Sequence, residues 1–254
     1  MKIQLASDLH LEFTANSSYL KLYPLEVTGD ILILAGDIDY LREDNNFTHP
    51  FWDWVSAHYK QVIVVMGNHE LYKGYDINKL TEGTVIPIRK NVAYHYNNVI
   101  SIENTDIICS TLWAYIEPQF AYITEHRVSD FRSTIANGEY RLSADRFNTE
   151  HQTCVQFIKQ AVAKSKADKI VVVTHHVPSK LLSSPDFGGS EINGAFVSEQ
   201  FDFIAGSRID YWIYGHSHRN IDAIIGNTRC VTNQLGYTFA EEHHDFNRFK
   251  YIEL

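Results

Sequence analysis

Five short polar clusters each follow an apolar run and offer side chains able to hold a metal ion: Asp8-x-His10, Gly36-Asp37, Gly67-Asn68-His69-Glu70, Thr174-His175-His176 and Gly215-His216-x-His218. Taken singly they are ordinary. An Asp at a strand end is commonly a turn or cap residue, a lone His near an apolar run commonly packs in a core, and Asn68 after Gly67 fits a turn with positive φ. The paired forms are more specific, because side chains two residues apart on an extended segment point to the same side. Together the clusters supply carboxylate, amide and imidazole but no thiolate, a mixed oxygen and nitrogen set suited to Mn, Zn or Fe. Asp8, His10, Asp37, Asn68, His175, His216 and His218 are too many for one cation with an open position and about right for two.

The elements that position these residues are short. Runs 2–6, 31–35, 62–66, 170–173 and 211–214 are β-branched or Leu-rich without alternation, the pattern of strands buried on both faces. The first three clusters lie about thirty positions apart, roughly one βαβ unit. The carboxyl ends of parallel strands share one edge of a sheet, so distant residues converge there. Helices are predicted over 50–59, with Pro50 in the first turn, over 143–166, with Ser143 as N-cap, and over 195–205. Segments 99–103 and 106–112 flank Asn104-Thr105, and 221–225 and 228–231 flank Gly226-Asn227, as two hairpins. Segments 113–140 and 178–194 read as long loops over the strand ends, the usual form of lids and binding loops. No linker divides the chain, so residues 1–254 are expected to form one domain.

Composition narrows the function. The 254 residues carry 22 Lys plus Arg against 31 Asp plus Glu, a formal charge of −9, which argues against coating duplex nucleic acid. The three cysteines, Cys109, Cys154 and Cys230, form no CxxC pair, and no apolar stretch has the length of a signal region or a membrane span. A cytoplasmic protein without a membrane partner is expected.

In order and spacing the five blocks resemble those of the calcineurin-like metallophosphoesterase superfamily, from Asp8 to His218. The stretches Thr111-Leu112-Trp113, Ser129-Asp130-Phe131-Arg132 and 193–198 are similar to a bacterial-type branch of it. The resemblance implies an α/β fold, a four-layer αββα sandwich with two mixed β-sheets flanked by helices. It further implies that Asp8, His10, Asp37 and His218 hold one metal ion and Asp37, Asn68, His175 and His216 a second, with Asp37 bridging. The cofactor pair is then two divalent ions, manganese first, with zinc or iron as alternatives. The implied reaction is hydrolysis of a phosphodiester or small phosphomonoester by a hydroxide bridging the two ions. His69 would stabilise the transition state or protonate the leaving oxygen. Glu70 reads as structural, and His176 as a neighbour of the ligands or a substrate contact.

One departure is informative. Protein phosphatases of the superfamily extend the second block to GDxVDRG, whereas here it runs Gly36-Asp37-Ile38-Asp39-Tyr40-Leu41-Arg42, which argues against that activity. Arg132, beside Asp130, is the alternative phosphate contact, since guanidinium pairs with phosphate in a planar fork; a surface ion pair is the competing role. Trp113, Tyr115, Phe120 and Tyr122 would form an aromatic wall for a leaving group or pack down as a small core. Two rival functions remain at this level, a metal-free binding scaffold and a nucleotide pyrophosphatase or single-strand nuclease.

Overall fold

A computed structural model describes residues 1–41, 46–73, 75–136, 138 and 141–254. Arg42 and Tyr140, the last residues of the second block and of the first long loop, lie outside the described residues. The unbroken apolar runs become central strands because both of their faces are covered. β1 (Lys2–Ala6), β2 (Ile31–Leu34) and β3 (Gln61–Val65) lie side by side and parallel, with Leu5 beside Ile33 and Ile33 beside Ile63. β4 (Thr84–Arg89) and β5 (Val92–Tyr96) complete one side of this sheet, and β12 (Tyr251–Glu253) pairs antiparallel with β1 at the other. Its order is β12-β1-β2-β3-β5-β4.

The second sheet contains β6 (Asn98–Ile102), β7 (Thr105–Ser110), β8 (Lys169–Thr174), β9 (Tyr211–Tyr214), β10 (Ala223–Ile225) and β11 (Thr228–Thr232), in the order β10-β11-β9-β8-β7-β6. Both sheets are mixed. Ile3, Leu5, Ile33 and Val65 from the first meet Cys109, Val171, Val173 and Ile213 from the second in one buried layer. The outer face of the first sheet, through Leu34, Val62 and Val64, packs on Trp52 and Val55 of α2 (Pro50–His58) and on Leu20 of α1 (Thr14–Leu22). The outer face of the second, through Ile108, Val172 and Trp212, packs on Ile158 and Val162 of α5 (Ala144–Lys164) and Ile204 of α6 (Phe201–Ala205). Three apolar layers between four layers of elements make the expected αββα sandwich.

The local signals act as their chemistry requires. Pro50 opens α2, and Ser143 caps α5 by accepting a hydrogen bond from the Arg146 amide at 3.2 Å. Gly226 takes φ 60° in the β10–β11 turn. Three expectations are corrected. Helix over 195–205 is confined to α6 and to the last residue of a 3-10 turn, Asn193–Ala195, because Val197 bridges Val177 and interrupts it. The β6–β7 turn sits on Glu103-Asn104, one residue earlier than read, since Ile102 already pairs with Thr105. Segment 113–140 holds two short helices, α3 (Ala121–Arg127) and α4 (Asp130–Ser133). α1, too, carries no strong signal, and the β4–β5 hairpin is interrupted by a register shift between Pro87 and Arg89 that hides its alternation.

Candidate metal centre

Each cluster sits where its strand ends. β1 runs into Asp8 and His10, β2 into Asp37, β3 into Asn68, β8 into His175, and β9 into His216 and His218. Because β1, β2 and β3 are parallel, as are β8 and β9, these ends lie on one edge of each sheet. The backbone there is strained: Asp8 (φ 53°), His10 (φ 47°), Asp37 (φ 55°), His216 (φ 77°) and His218 (φ 51°) all occupy the left-handed region. Such conformations cost on the order of 1 to 3 kcal/mol each and persist where the surroundings enforce them. Asn68 is different. Its φ of −78° excludes the turn role that positive φ would have explained.

Two glycines are there for close approach. A Cβ on Gly67 would lie 2.1 Å from Asp37 Oδ1, and one on Gly36 2.4 Å from His175 Nδ1. Gly67→Ala is therefore expected to displace the Asp37 carboxylate, lowering stability by about 1 to 3 kcal/mol and reducing bound metal, as read by thermal melting and elemental analysis. A variant with unchanged metal content would show that Asp37 tolerates the displacement.

The side chains converge on Asp37 from two directions. On one side His10 Nε2 and His218 Nε2 face each other at 3.1 Å, with Asp37 Oδ2 3.8 Å from His10 and Asp8 Oδ1 3.4 Å from His218. On the other side His175 Nε2 lies 3.1 Å from His216 Nδ1, 2.9 Å from Asn68 Oδ1 and 3.3 Å from Asp37 Oδ1. Asp8, His10 and His218 form one group whose ligand atoms are close enough to share a cation, and Asp37, His175 and His216 form another. His10, Asp37 and His69 form a third, overlapping group. His216 Nε2 is buried without a hydrogen-bond partner. Ring nitrogens meeting in pairs 3.1 Å apart beside carboxylate oxygens are a donor set that cations can share once protons are expelled.

Buried carboxylates and carbonyls orient these donors. Glu12 Oε1 accepts from both His10 Nδ1 and His69 Nδ1 at 3.0 Å, Glu242 Oε2 accepts from His218 Nδ1 at 2.6 Å, and the Ala35 carbonyl accepts from His175 Nδ1 at 2.9 Å. Each bond fixes the tautomer that leaves the opposite nitrogen free, the usual outer support of a metal ligand. The Asn68 amide nitrogen donates to Asp130 Oδ1 at 2.8 Å, which turns its oxygen toward His175. Glu70 accepts from the backbone amides of Asp37, Ile38 and Gly67, tying β2 and β3 together at the site.

The electrostatics follow from this crowding. Burial pushes the His175 ring down, but the Asp37 carboxylate outweighs it and raises the ring to about 9. Burial is likewise overcome at His218, where Asp8 and Glu242 raise the ring to about 10. Despite its burial, Asp37 is held well below the usual carboxylate range by His175 and His69. Burial and then the charges of His176 and His175 hold His216 well below the ordinary value. Before a cation binds, His175 and His218 thus keep their protons at neutral pH, and binding must expel them. Metal affinity should rise with pH between 6 and 8, by roughly tenfold per pH unit for each proton expelled. Titration calorimetry in buffers of different ionisation heat would count those protons, and a flat profile would refute the coupling.

A cavity of about 380 Å³ opens over this edge, with Asp37, Asn68, His69, His216 and His218 among its walls. Val128, Ile192 and Phe196 form an apolar side, and Arg127 and Arg219 contribute guanidinium groups. The remaining expected contacts are placed elsewhere or act indirectly. Arg132 is exposed, donates to the His126 carbonyl and is absent from the lining; the turn of α4 points it outward, whereas Arg127 and Arg219 line the cavity. Trp113 is fully buried against Phe147 and His176, so it belongs to the core. His176 is fully buried and packs on His216 with ring centroids 4.1 Å apart, away from the cavity surface. Asp130 lines the cavity, but its Oδ1 is taken by Asn68 and Tyr72. Of the other loop aromatics, Tyr115 and Phe120 line a second cavity, and Tyr122 stands in solvent. Glu12, Glu242, Arg219 and Tyr237 were not anticipated; the i, i+2 spacing of His10 and Glu12 and the step from His218 to Arg219 are the only local hints.

The fold has known counterparts. The chain belongs to the calcineurin-like phosphoesterase family, whose profile matches residues 1–220. It is 26% identical over 276 residues to the uncharacterized protein L509 of Acanthamoeba polyphaga mimivirus, covering 99% of this chain and 96% of that one. Its fold is similar to that of the phosphopantetheinyl hydrolase PptH from Mycobacterium tuberculosis, with a TM-score of 0.65 and 19% identity over 99% of this chain and 95% of that one. Among the described residues no helix is long and apolar enough to cross a membrane.

Proposed function

We propose that residues 1–254 form one metal-dependent phosphoesterase domain that hydrolyses a phosphodiester or small phosphomonoester at a dinuclear site. The convergence of His10 and His218 on one side of Asp37, and of His175, His216 and Asn68 on the other, carries this reading. Asp8, His10, Asp37 and His218 would hold one divalent ion and Asp37, Asn68, His175 and His216 the second. Manganese suits this mixed oxygen and imidazole set, with zinc or iron as alternatives. When bound, such a pair polarises phosphoryl oxygens and makes a water acidic near neutral pH.

The chain's own residues supply the rest. Asp37 offers one oxygen toward each group, so its charge offsets the repulsion of two cations. Asn68 contributes an uncharged oxygen, which leaves the centre positive toward an anionic ester. His69 lines the cavity, with Nδ1 held by Glu12 and Nε2 3.3 Å from the Tyr237 hydroxyl. Burial lowers the His69 ring, but Asp37 and Glu12 outweigh it and raise it above its ordinary value, a shift toward the protonated form that a donor to the leaving oxygen requires. Arg127 and Arg219 attract and orient the phosphate, and Val128, Ile192 and Phe196 exclude water. The named activity of PptH, hydrolysis of a phosphopantetheinyl group, is compatible with a diester substrate. Three buried free cysteines suit a reducing, cytoplasmic setting.

Elemental analysis of the purified protein, beside a panel of diesters, monoesters, cyclic nucleotides and dinucleoside polyphosphates with Mn²⁺, tests the reading. A protein that binds no transition metal and turns over none of these esters would instead be a scaffold.

A further inference from the structure

The two long loops do more than border the metal-site cavity. They enclose a second cavity of about 830 Å³, and Ser183, Ser190, Asn193 and Val197 line both. The second cavity therefore adjoins the first along a shared wall. It is a built feature of the fold, because a Cβ on Gly194 would lie 2.7 Å from the Tyr115 carbonyl, so the two loops touch backbone to backbone there. Ile116 is further clamped at both its amide and carbonyl by Asn148 of α5, at 2.8 and 2.9 Å. A phosphate and a small substituent need only the first cavity. Spaces of several hundred Å³ with a few polar groups ordinarily take a ligand of drug-like size.

The lining defines what fits. The side chains of Ser183, Ser190 and Asn193 make no hydrogen bond within the protein among the described residues, which leaves hydroxyl and amide groups for a ligand at the shared wall. Tyr115, Phe120 and Leu181 supply apolar surface away from the shared wall. Glu117, Glu191 and Glu199 line the second cavity with Lys180 as its single cation among the described residues, so a second anionic group is disfavoured there. We propose that the second cavity is the subsite for one ester substituent of a phosphodiester, and that this substituent is an extended, uncharged chain bearing amide or hydroxyl groups. The proposal rests on the phosphoesterase reading above and narrows it, setting aside small monoesters and polyanionic strands as preferred substrates.

The test compares three chromogenic diesters with Mn²⁺: the acetamidohexyl, carboxyhexyl and methyl esters of p-nitrophenyl phosphate. The acetamidohexyl ester should exceed the methyl ester in kcat/KM by about tenfold or more, the least that one or two well-placed methylenes contribute, and the carboxyhexyl ester should fall below the acetamidohexyl ester. Glu191→Trp and Leu181→Trp, both on exposed positions of the second cavity, should bring the acetamidohexyl-to-methyl ratio down toward one. Calorimetry with acetamidohexyl and methyl benzylphosphonate measures the same preference without turnover. A binding preference with no hydrolysis of any ester would retain the subsite and overturn the phosphoesterase reading. Equal affinities and rates for the long and short esters, or a ratio that both variants leave intact, would overturn the subsite.

Discussion

Asp37→Asn is expected to lower manganese-supported hydrolysis of bis-p-nitrophenyl phosphate by about 10³-fold or more, with at least one metal equivalent lost. The carboxylate stands 3.8 Å from His10 and 3.3 Å from His175, one oxygen toward each ligand group. An amide keeps one acceptor oxygen and replaces the other with a donor, so one of the two groups loses its anionic partner. Lewis-acid stabilisation is worth several kcal/mol, and each ~1.4 kcal/mol is tenfold in rate, which sets the magnitude. The fold should survive, because its three apolar layers do not include Asp37. Elemental analysis and steady-state kinetics on the folded variant decide the matter: full metal content with near-wild-type turnover would remove Asp37 from its proposed bridging role.

His69→Ala is expected to cost about 10² to 10⁴ in kcat, the range for a general acid, while both metal equivalents are retained. His69 is not needed to complete either of the two proposed four-ligand sets, and its ring lies over Tyr72 with centroids 4.4 Å apart. The defect should grow with the basicity of the leaving group, because p-nitrophenolate departs without a proton and an alkoxide does not. A uniform loss across leaving groups would point to stabilisation of the transition state instead. Loss of metal in this variant would place His69 among the cation ligands, as the closeness of His10, Asp37 and His69 allows.

Much of this site is legible in the chain because a strand followed by an abrupt polar turn is a local object. Unbroken apolar runs fix where a buried strand ends, and the glycines at 36, 67 and 215 mark where the backbone must pass closest to its neighbours. What escapes local reading is which outer group supports which ligand. Glu12 reaches His69 across 57 positions, Asp130 reaches Asn68 across 62, and Glu242 reaches His218 across 24. Trp113 and Arg132 show the same limit in reverse. Both have the right chemistry for substrate contact, yet Trp113 turns into the core with Phe147 and Arg132 turns outward on α4.

The sequence by itself therefore determined the candidate donors and the strands that carry them, since those follow from short-range hydrophobic pattern and residue chemistry, while the sandwich that brings strand ends together was implied by the resemblance of the five blocks to a known family. Only the tertiary structure decided which groups hold Nδ1 of His10, His175 and His218, that Arg127 and Arg219 but not Arg132 line the cavity, and that the two cavities share a wall. Each of these depends on where a loop crosses the sheet edge, and that path is set by the packing of whole layers and not by any stretch of residues on its own.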